Sequence, residues 1–223
     1  MKSFIRALGR EAESRATALA TNRGGETATL YFGGGTPSML SDTHLGRLME
    51  TLDRLVPVDK LDEFSFEANP ATFTEKKVRF WRSLGMTRVS LGVQSLDSGI
   101  LHLLGREHTP AQALHSVEML KNAGMPHINM DLMFAIPGQT LSIWEATLKE
   151  AVRAGTDHIS AYNLTYEEDT EFFRSLLRGE KRQDPDEDAA FFELAEHMLE
   201  AAGLRHYETS NYAREGCRSP HNM

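Results

Sequence analysis

The chain has 223 residues, a formal net charge of −8 and 40% hydrophobic residues. That length gives one large domain or a domain with an appendage, with ample apolar material for a core. The acidic balance argues against nucleic-acid binding through a basic face. A single cysteine, Cys217, excludes an internal disulfide and a cysteine-held zinc or iron–sulfur site built by this chain alone. No apolar run is long enough to span a membrane, and the N-terminus lacks the apolar core of a signal peptide, so the cytoplasm is the expected location.

Phe4, Ile5, Leu8 and Ala12 fit one face of an amphipathic helix that ends by Gly24-Gly25. Thr29 to Phe32 is a strand-type run that stops at Gly33-Gly34-Gly35-Thr36-Pro37. Three glycines at a strand end leave a backbone free to take positive φ and to approach a small polar ligand closely. Leu45, Leu48, Met49, Leu52 and Leu55 mark the next helix, which opens at Ser41. Glu63 to Glu67 alternates as a strand, and Thr74 caps the helix through Val78, Trp81 and Leu84. Arg88 to Val93 is the third strand and ends at Gln94-Ser95. Thr109-Pro110-Ala111-Gln112 combines an N-cap, a first-position proline and a capping-box glutamine. His127 to Phe134 is a strand, Thr140 to Ala154 a helix, and His158 to Tyr162 the fifth strand.

Strand and helix therefore alternate in units of about thirty residues, which predicts βαβ repeats and a parallel sheet. A doubly wound open sheet and a complete or partial (βα) barrel both fit this period. The dinucleotide-binding spacing G-x-G-x-x-G and a P-loop lysine are absent. In either architecture the C-terminal strand ends form the ligand site. Glu67, Asn69, Gln94, Asp131, Tyr162 and Asn163 lie at or near those ends. Acceptors (Glu67, Asp131) with donors (Gln94, Arg106) suit a ligand bearing hydroxyls and a carboxylate. No Ser-His-Asp set and no compact His–carboxylate metal cluster is legible, so no metal ligand is assigned.

Beyond Tyr162, the acidic run Glu167-Glu168-Asp169 reads as a solvated helix start that leads into Phe172, Phe173, Leu176 and Leu177. Asp184-Pro185-Asp186-Glu187 repeats the capping logic for a helix from Asp188 to Ala202. Its stripe of Phe191, Phe192, Leu194, Ala195, Met198 and Leu199 predicts packing against the sheet. Leu204 to Thr209 reads as a further strand.

Five motifs carry a resemblance. They are Leu30 to Ser38, Phe66 to Pro70, Arg88 to Ser95, Leu104 to His108 and Asn129 to Gln139. Together they resemble, in order and over nearly the whole chain, the radical S-adenosylmethionine (SAM) proteins of the oxygen-independent coproporphyrinogen III oxidase family. His206 to Ala213 followed by Ser219-Pro220-His221-Asn222 is similar to the heme chaperone, or heme-insertion, branch.

The resemblance implies an α/β fold, a partial (βα)6 TIM-like barrel lacking its first strand. Residues 1–164 would form that barrel and 165–223 the start of an α+β C-terminal extension. It also implies SAM at the C-terminal rim. Gly34, Gly35 and Thr36 would lie on the methionine moiety, Glu67 and Asp131 on ribose hydroxyls, Gln94 and Arg106 on the carboxylate region, and Asn163 toward adenine. His221 would serve heme handling, and heme or porphyrin would be the partner molecule.

The family's [4Fe–4S] cluster needs three cysteines in a C-x3-C-x2-C motif; this sequence lacks that motif, and its one cysteine, Cys217, lies in the wrong region. The chain thus reads as a fragment of a longer protein that cannot assemble the cluster alone. It is expected to expose the edge of the Thr29–Phe32 strand and to be marginally stable. The expected roles are heme binding and insertion. The alternatives are oxidative decarboxylation of porphyrinogen propionates and a cluster-less module that binds SAM or a related nucleoside.

Overall fold

The computed structural model describes residues 2–21, 28–165 and 185–223. The expected end of the first helix at Gly24-Gly25, the acidic run 167–169, the Phe172–Leu177 stripe and the Asp184 cap lie outside them. Seven α-helices and seven strands are present among the described residues. The helices are α1 (Lys2–Thr21), α2 (Asp42–Leu55), α3 (Glu75–Ser83), α4 (Ser98–Leu103), α5 (Pro110–Asn122), α6 (Leu141–Ala154) and α7 (Pro185–Ala201). The strands are β1 (Thr29–Phe32), β2 (Glu63–Ala68), β3 (Arg88–Gln94), β4 (His127–Phe134), β5 (His158–Asn163), β6 (Arg205–Glu208) and β7 (Asn211–Ala213).

The seven strands form one curled, half-barrel sheet in the order β1-β2-β3-β4-β5-β7-β6. β1 to β5 run parallel, as the βαβ period requires. β7 then joins β5 antiparallel and carries β6 with it. The short pairing strand Asn211–Ala213 and the six-residue helix α4 are additions to what the sequence pattern gave.

Local chemistry sets the helix starts. Ser41, Thr74, Asp97 and Thr140 each accept a hydrogen bond from the backbone N–H three residues on. Thr109 and Gln112 form the expected reciprocal capping box. Gly155 ends α6 in the left-handed conformation, φ 65°.

The strands divide their side chains by the period of two. Phe64, Phe66, Val89, Leu91, Met130, Leu132, Ile159 and Ala161 are buried in the apolar layer with Trp81, Leu120 and Trp144. Phe191, Ala195 and Leu199 of α7 join the same core, as their stripe predicted. The alternate positions, Glu63, Ser65 and Glu67, Arg88, Ser90 and Gln94, Asn129 and Asp131, His158, Ser160 and Tyr162, fall on the other, concave face. That face is polar apart from Met133 near its rim.

Its lower part is closed by hydrogen bonds. Arg88 Nε donates to Glu63 Oε2 at 2.6 Å, with both side chains almost wholly buried. Ser65 and Ser219 donate to Glu63 Oε1 at 2.7 and 2.6 Å. Arg88 also donates to the carbonyls of Cys217 and Arg218. The C-terminal segment is thereby tied across the N-terminal ends of β2 and β3.

His158 sits above this pair. Nδ1 is 2.6 Å from Asn129 Oδ1, and Nε2 is 2.7 Å from the Tyr207 hydroxyl. Asn129 Nδ2 donates to Ser90, Asp131 and Ser160. Its Oδ1 must therefore accept, and the His158 proton belongs on Nδ1. Burial, then the Arg88 charge, push the His158 pKa down to about 4.

Candidate functional site

A cavity of about 440 Å3 opens at the C-terminal ends of the parallel strands. Of the residues expected to bind a ligand, Gly35, Thr36, Glu67, Gln94, Arg106 and Asp131 line it. Gly34 stands beside it, with its N–H donating to Glu67 Oε2 at 3.0 Å. Asn163 lies outside the lining, and its amide donates to Asp188 of α7. His221 is exposed, and its ring stacks on Tyr31 with centroids 4.4 Å apart and planes 6° apart.

The glycine loop is built around Glu67. The Tyr31 hydroxyl donates to Glu67 Oε1 at 2.6 Å, so both carboxylate oxygens are engaged by the β1 strand and the loop after it. A Cβ on Gly33 would stand 2.4 Å from the Tyr31 ring and 2.8 Å from Glu67 Oε1. Gly34 and Gly35 take φ of 78° and 62°, and nothing within 4 Å fills the space where their side chains would be. The far side of the loop is pinned by Asn69, whose Nδ2 donates to Thr36 Oγ1 and whose N–H donates to Ser38 Oγ. Burial and the Glu67 charge raise the Tyr31 pKa, so the phenol stays a donor.

The end of β3 is irregular by construction. The register to β4 shifts between Gly92 and Gln94, and Gln94 adopts φ 67°. A Cβ on Gly92 would lie 2.9 Å from Asn69 Oδ1 and 3.1 Å from Gln94 Nε2. Buried His108 holds this bulge, with Nε2 3.0 Å from the Val93 carbonyl. A non-glycine residue at positive φ costs energy and is found where a side chain is re-aimed.

The charges are complementary and partly unspent. Asp131 accepts from Ser90 at 2.7 Å and from Asn129 at 2.7 Å, yet burial pushes its pKa up to about 6. The Arg106 backbone N–H donates to the Leu101 carbonyl at 2.9 Å, and its guanidinium makes no hydrogen bond or ion pair among the described residues. Burial lowers its proton affinity and the Asp131 charge opposes that. A desolvated guanidinium without a partner facing an open cavity is fitted to a carboxylate.

The family description "Radical SAM superfamily" matches residues 10–151. The chain belongs to that superfamily. The heme chaperone HemW of Bacillus subtilis is 36% identical over 197 residues, 87% of this chain and 52% of the relative. A zebrafish (Danio rerio) protein, radical S-adenosyl methionine domain-containing protein 1, mitochondrial, is 34% identical over 93% of this chain and 47% of its own. The chain thus spans about half the length of the curated relatives it matches. Among solved structures, coproporphyrinogen III oxidase (HemN) from Escherichia coli, a radical SAM enzyme, superposes with a TM-score of 0.82. It is 23% identical, over 96% of this chain and 49% of that one.

Membership implies SAM and a [4Fe–4S] cluster. The site fits SAM: a guanidinium without a partner among the described residues, two carboxylates, an amide and an open glycine backbone surround a cavity within the usual range of about 300–1,000 Å3. The residues of this chain do not fit the cluster, which takes three thiolates. Cys217 follows β7 and lies at the strand ends opposite the glycine loop. No helix of the described residues is long and apolar enough to cross a membrane.

Sequence reasoning missed Tyr31, Ser90 and Asn129 as parts of the site. For Ser90 and Asn129 the signal was parity, since each shares its strand's face with a residue already chosen (Gln94 and Asp131); Tyr31 lies on β1, which holds no chosen residue. The signal for His108 was weaker, since a lone histidine in a loop carries no period.

Proposed function

We propose that this chain is the SAM-binding barrel of a heme-chaperone-like radical SAM protein. Support comes from the Arg106 guanidinium, which has no partner among the described residues and lines the cavity with Asp131 and Glu67, together with the likeness to HemW. Arg106 and Gln94 take the methionine carboxylate. Gly34, Gly35 and Thr36 present their backbone to the methionine moiety. Glu67, oriented by Tyr31 and Gly34, and Asp131, oriented by Ser90 and Asn129, accept from ribose hydroxyls. SAM supplies a sulfonium whose carbon–sulfur bonds are the reactive ones. The barrel residues bind and orient it.

Heme is the cargo in this reading, with His221 as its contact, and turnover of a porphyrinogen is the competing activity. Asn163 approaches the adenine only if it leaves Asp188. Thermal-shift titration with SAM, S-adenosylhomocysteine, methionine and adenosine tests the assignment. SAM and S-adenosylhomocysteine are expected to stabilise the protein, each half-molecule much less. Adenosine as effective as SAM would move the reading to a general nucleoside module. Heme titration of wild type and His221→Ala by absorbance tests the cargo, and an unchanged spectrum in the variant removes His221 from that role.

A further inference from the structure

The ends of β4 and β5 farthest from the glycine loop carry a second group of chemistry-bearing side chains. His127 opens β4, Asp157 immediately precedes β5, and Cys217 follows β7. An imidazole nitrogen, a carboxylate oxygen and the thiol sulfur all lie within 4.8 Å of one another, and all three residues are partly accessible. His127 Nδ1 and Asp157 Oδ2 are 2.6 Å apart. Asp131, on the same strand as His127, is four residues on, about 13 Å along the strand. The group is separate from the SAM cavity.

The main chain fixes all three. The Ile128 N–H donates to Asp157 Oδ1 at 2.8 Å, which leaves Oδ2 to face the others. The Arg214 N–H donates to the Asp157 carbonyl, and the Cys217 N–H donates to Arg214 across a turn in which Gly216 takes φ 77°. Arg88, itself paired with Glu63, donates to the Cys217 carbonyl at 2.9 Å. Burial, then the Asp157 carboxylate, push the Cys217 thiol pKa up in the metal-free protein, and the Arg88 and Arg214 charges oppose this only in part.

We propose that His127, Asp157 and Cys217 form a binding site for one divalent transition-metal ion of the zinc type. One nitrogen, one oxygen and one sulfur ligand match the borderline softness of Zn2+ and Co2+ and disfavour Mg2+ or Ca2+. Bonds of roughly 2.0–2.3 Å place tetrahedral ligand atoms about 3–4 Å apart, a spacing this group reaches by small side-chain shifts. Binding releases the thiol proton and moves the His127 proton to Nε2, freeing the Nδ1 lone pair. Water takes the fourth position, since the site is open. The ion would clamp the segment after β7 to the β4–β5 edge.

Cobalt titration of the 223-residue chain tests this with little ambiguity, because Cys217 is its only thiol. One equivalent of Co2+ should produce a thiolate-to-cobalt charge-transfer band in the near ultraviolet with four-coordinate visible bands, and Zn2+ should displace it. Cys217→Ser should lose the charge-transfer band, and His127→Gln should bind at least about tenfold more weakly, both with unchanged circular dichroism. No charge-transfer band in the folded wild type, a band that survives in Cys217→Ser, or equal affinity in wild type and His127→Gln would overturn the site.

Discussion

Single side chains decide the proposed SAM cavity, and Asp131 is the most informative of them. Its ionised form is the one that accepts from a ligand hydroxyl, and its pKa stands at about 6. SAM affinity is therefore expected to be full above pH 7 and to fall as pH drops through 6. Asp131→Asn should bind weakly at every pH and lose that dependence, as read by calorimetry across pH 5–8. A wild-type affinity flat from pH 5 to 8 would remove Asp131 from the ligand. Gly33 offers a steric test at the same scale. Gly33→Ala drives a methyl against Tyr31 and Glu67, so it should cost at least tenfold in SAM affinity. The strand itself should persist, because alanine adopts the extended backbone readily.

At the scale of elements, the Arg88–Glu63 pair joins β2, β3 and the C-terminal segment. Glu63→Ala leaves a buried guanidinium without its counter-charge, and one of its nitrogens, Nη1, is already unpartnered. Breaking a buried pair from one side typically costs about 3–5 kcal/mol. Chemical denaturation of that variant should show a loss of this size, with loss of protease resistance beginning in the segment after β7. A loss under about 1 kcal/mol would show that the pair is solvated in solution.

The elements were also the most legible part of the sequence. Capping residues Ser41, Thr74, Thr109 and Thr140 mark helix starts by local hydrogen bonds, and local rules read them correctly. β7 was invisible because three residues carry no period, and its strand character comes from pairing with β5. The bulge at Gly92–Gln94 likewise arises from a register shift against β4, which no single segment encodes. The His127–Asp157–Cys217 group draws its members from positions 30 and 60 residues apart. Only the sheet topology brings them together.

For the whole molecule, two buried groups pull the pH dependence of stability in opposite directions. The folded-state pKa of His158 is about 4, below its ordinary 6.5, so between those values the unfolded chain binds more protons. Stability from this group is complete above pH 6.5 and is lost as pH falls toward 4, by roughly 3 kcal/mol at most. Asp131 has a raised folded-state pKa, so there the folded chain binds more protons, and stability falls as pH rises from about 4 to 6. The two nearly offset in wild type over that window. Asp131→Asn should expose a stability that climbs steeply from pH 4 to 6.5, and His158→Gln one that declines. Parallel profiles for the two variants in urea denaturation would contradict both assignments.

The polar concave face against an apolar helical face follows from strand parity and makes the half-barrel a container. Sequence reading found the contents of its rim because strand ends and glycines are adjacent in the chain. It did not find the column beneath, where Ser90, Asn129, His158 and Ser160 meet only through the sheet. The central claim is that the rim holds SAM through Arg106. Equilibrium dialysis of radiolabelled SAM against wild type, Arg106→Ala and His221→Ala tests it most directly. One site per chain in wild type, at least about tenfold weaker in Arg106→Ala and unchanged in His221→Ala, is the predicted result. Folded wild type that retains no SAM, or Arg106→Ala that binds as well as wild type, would contradict it.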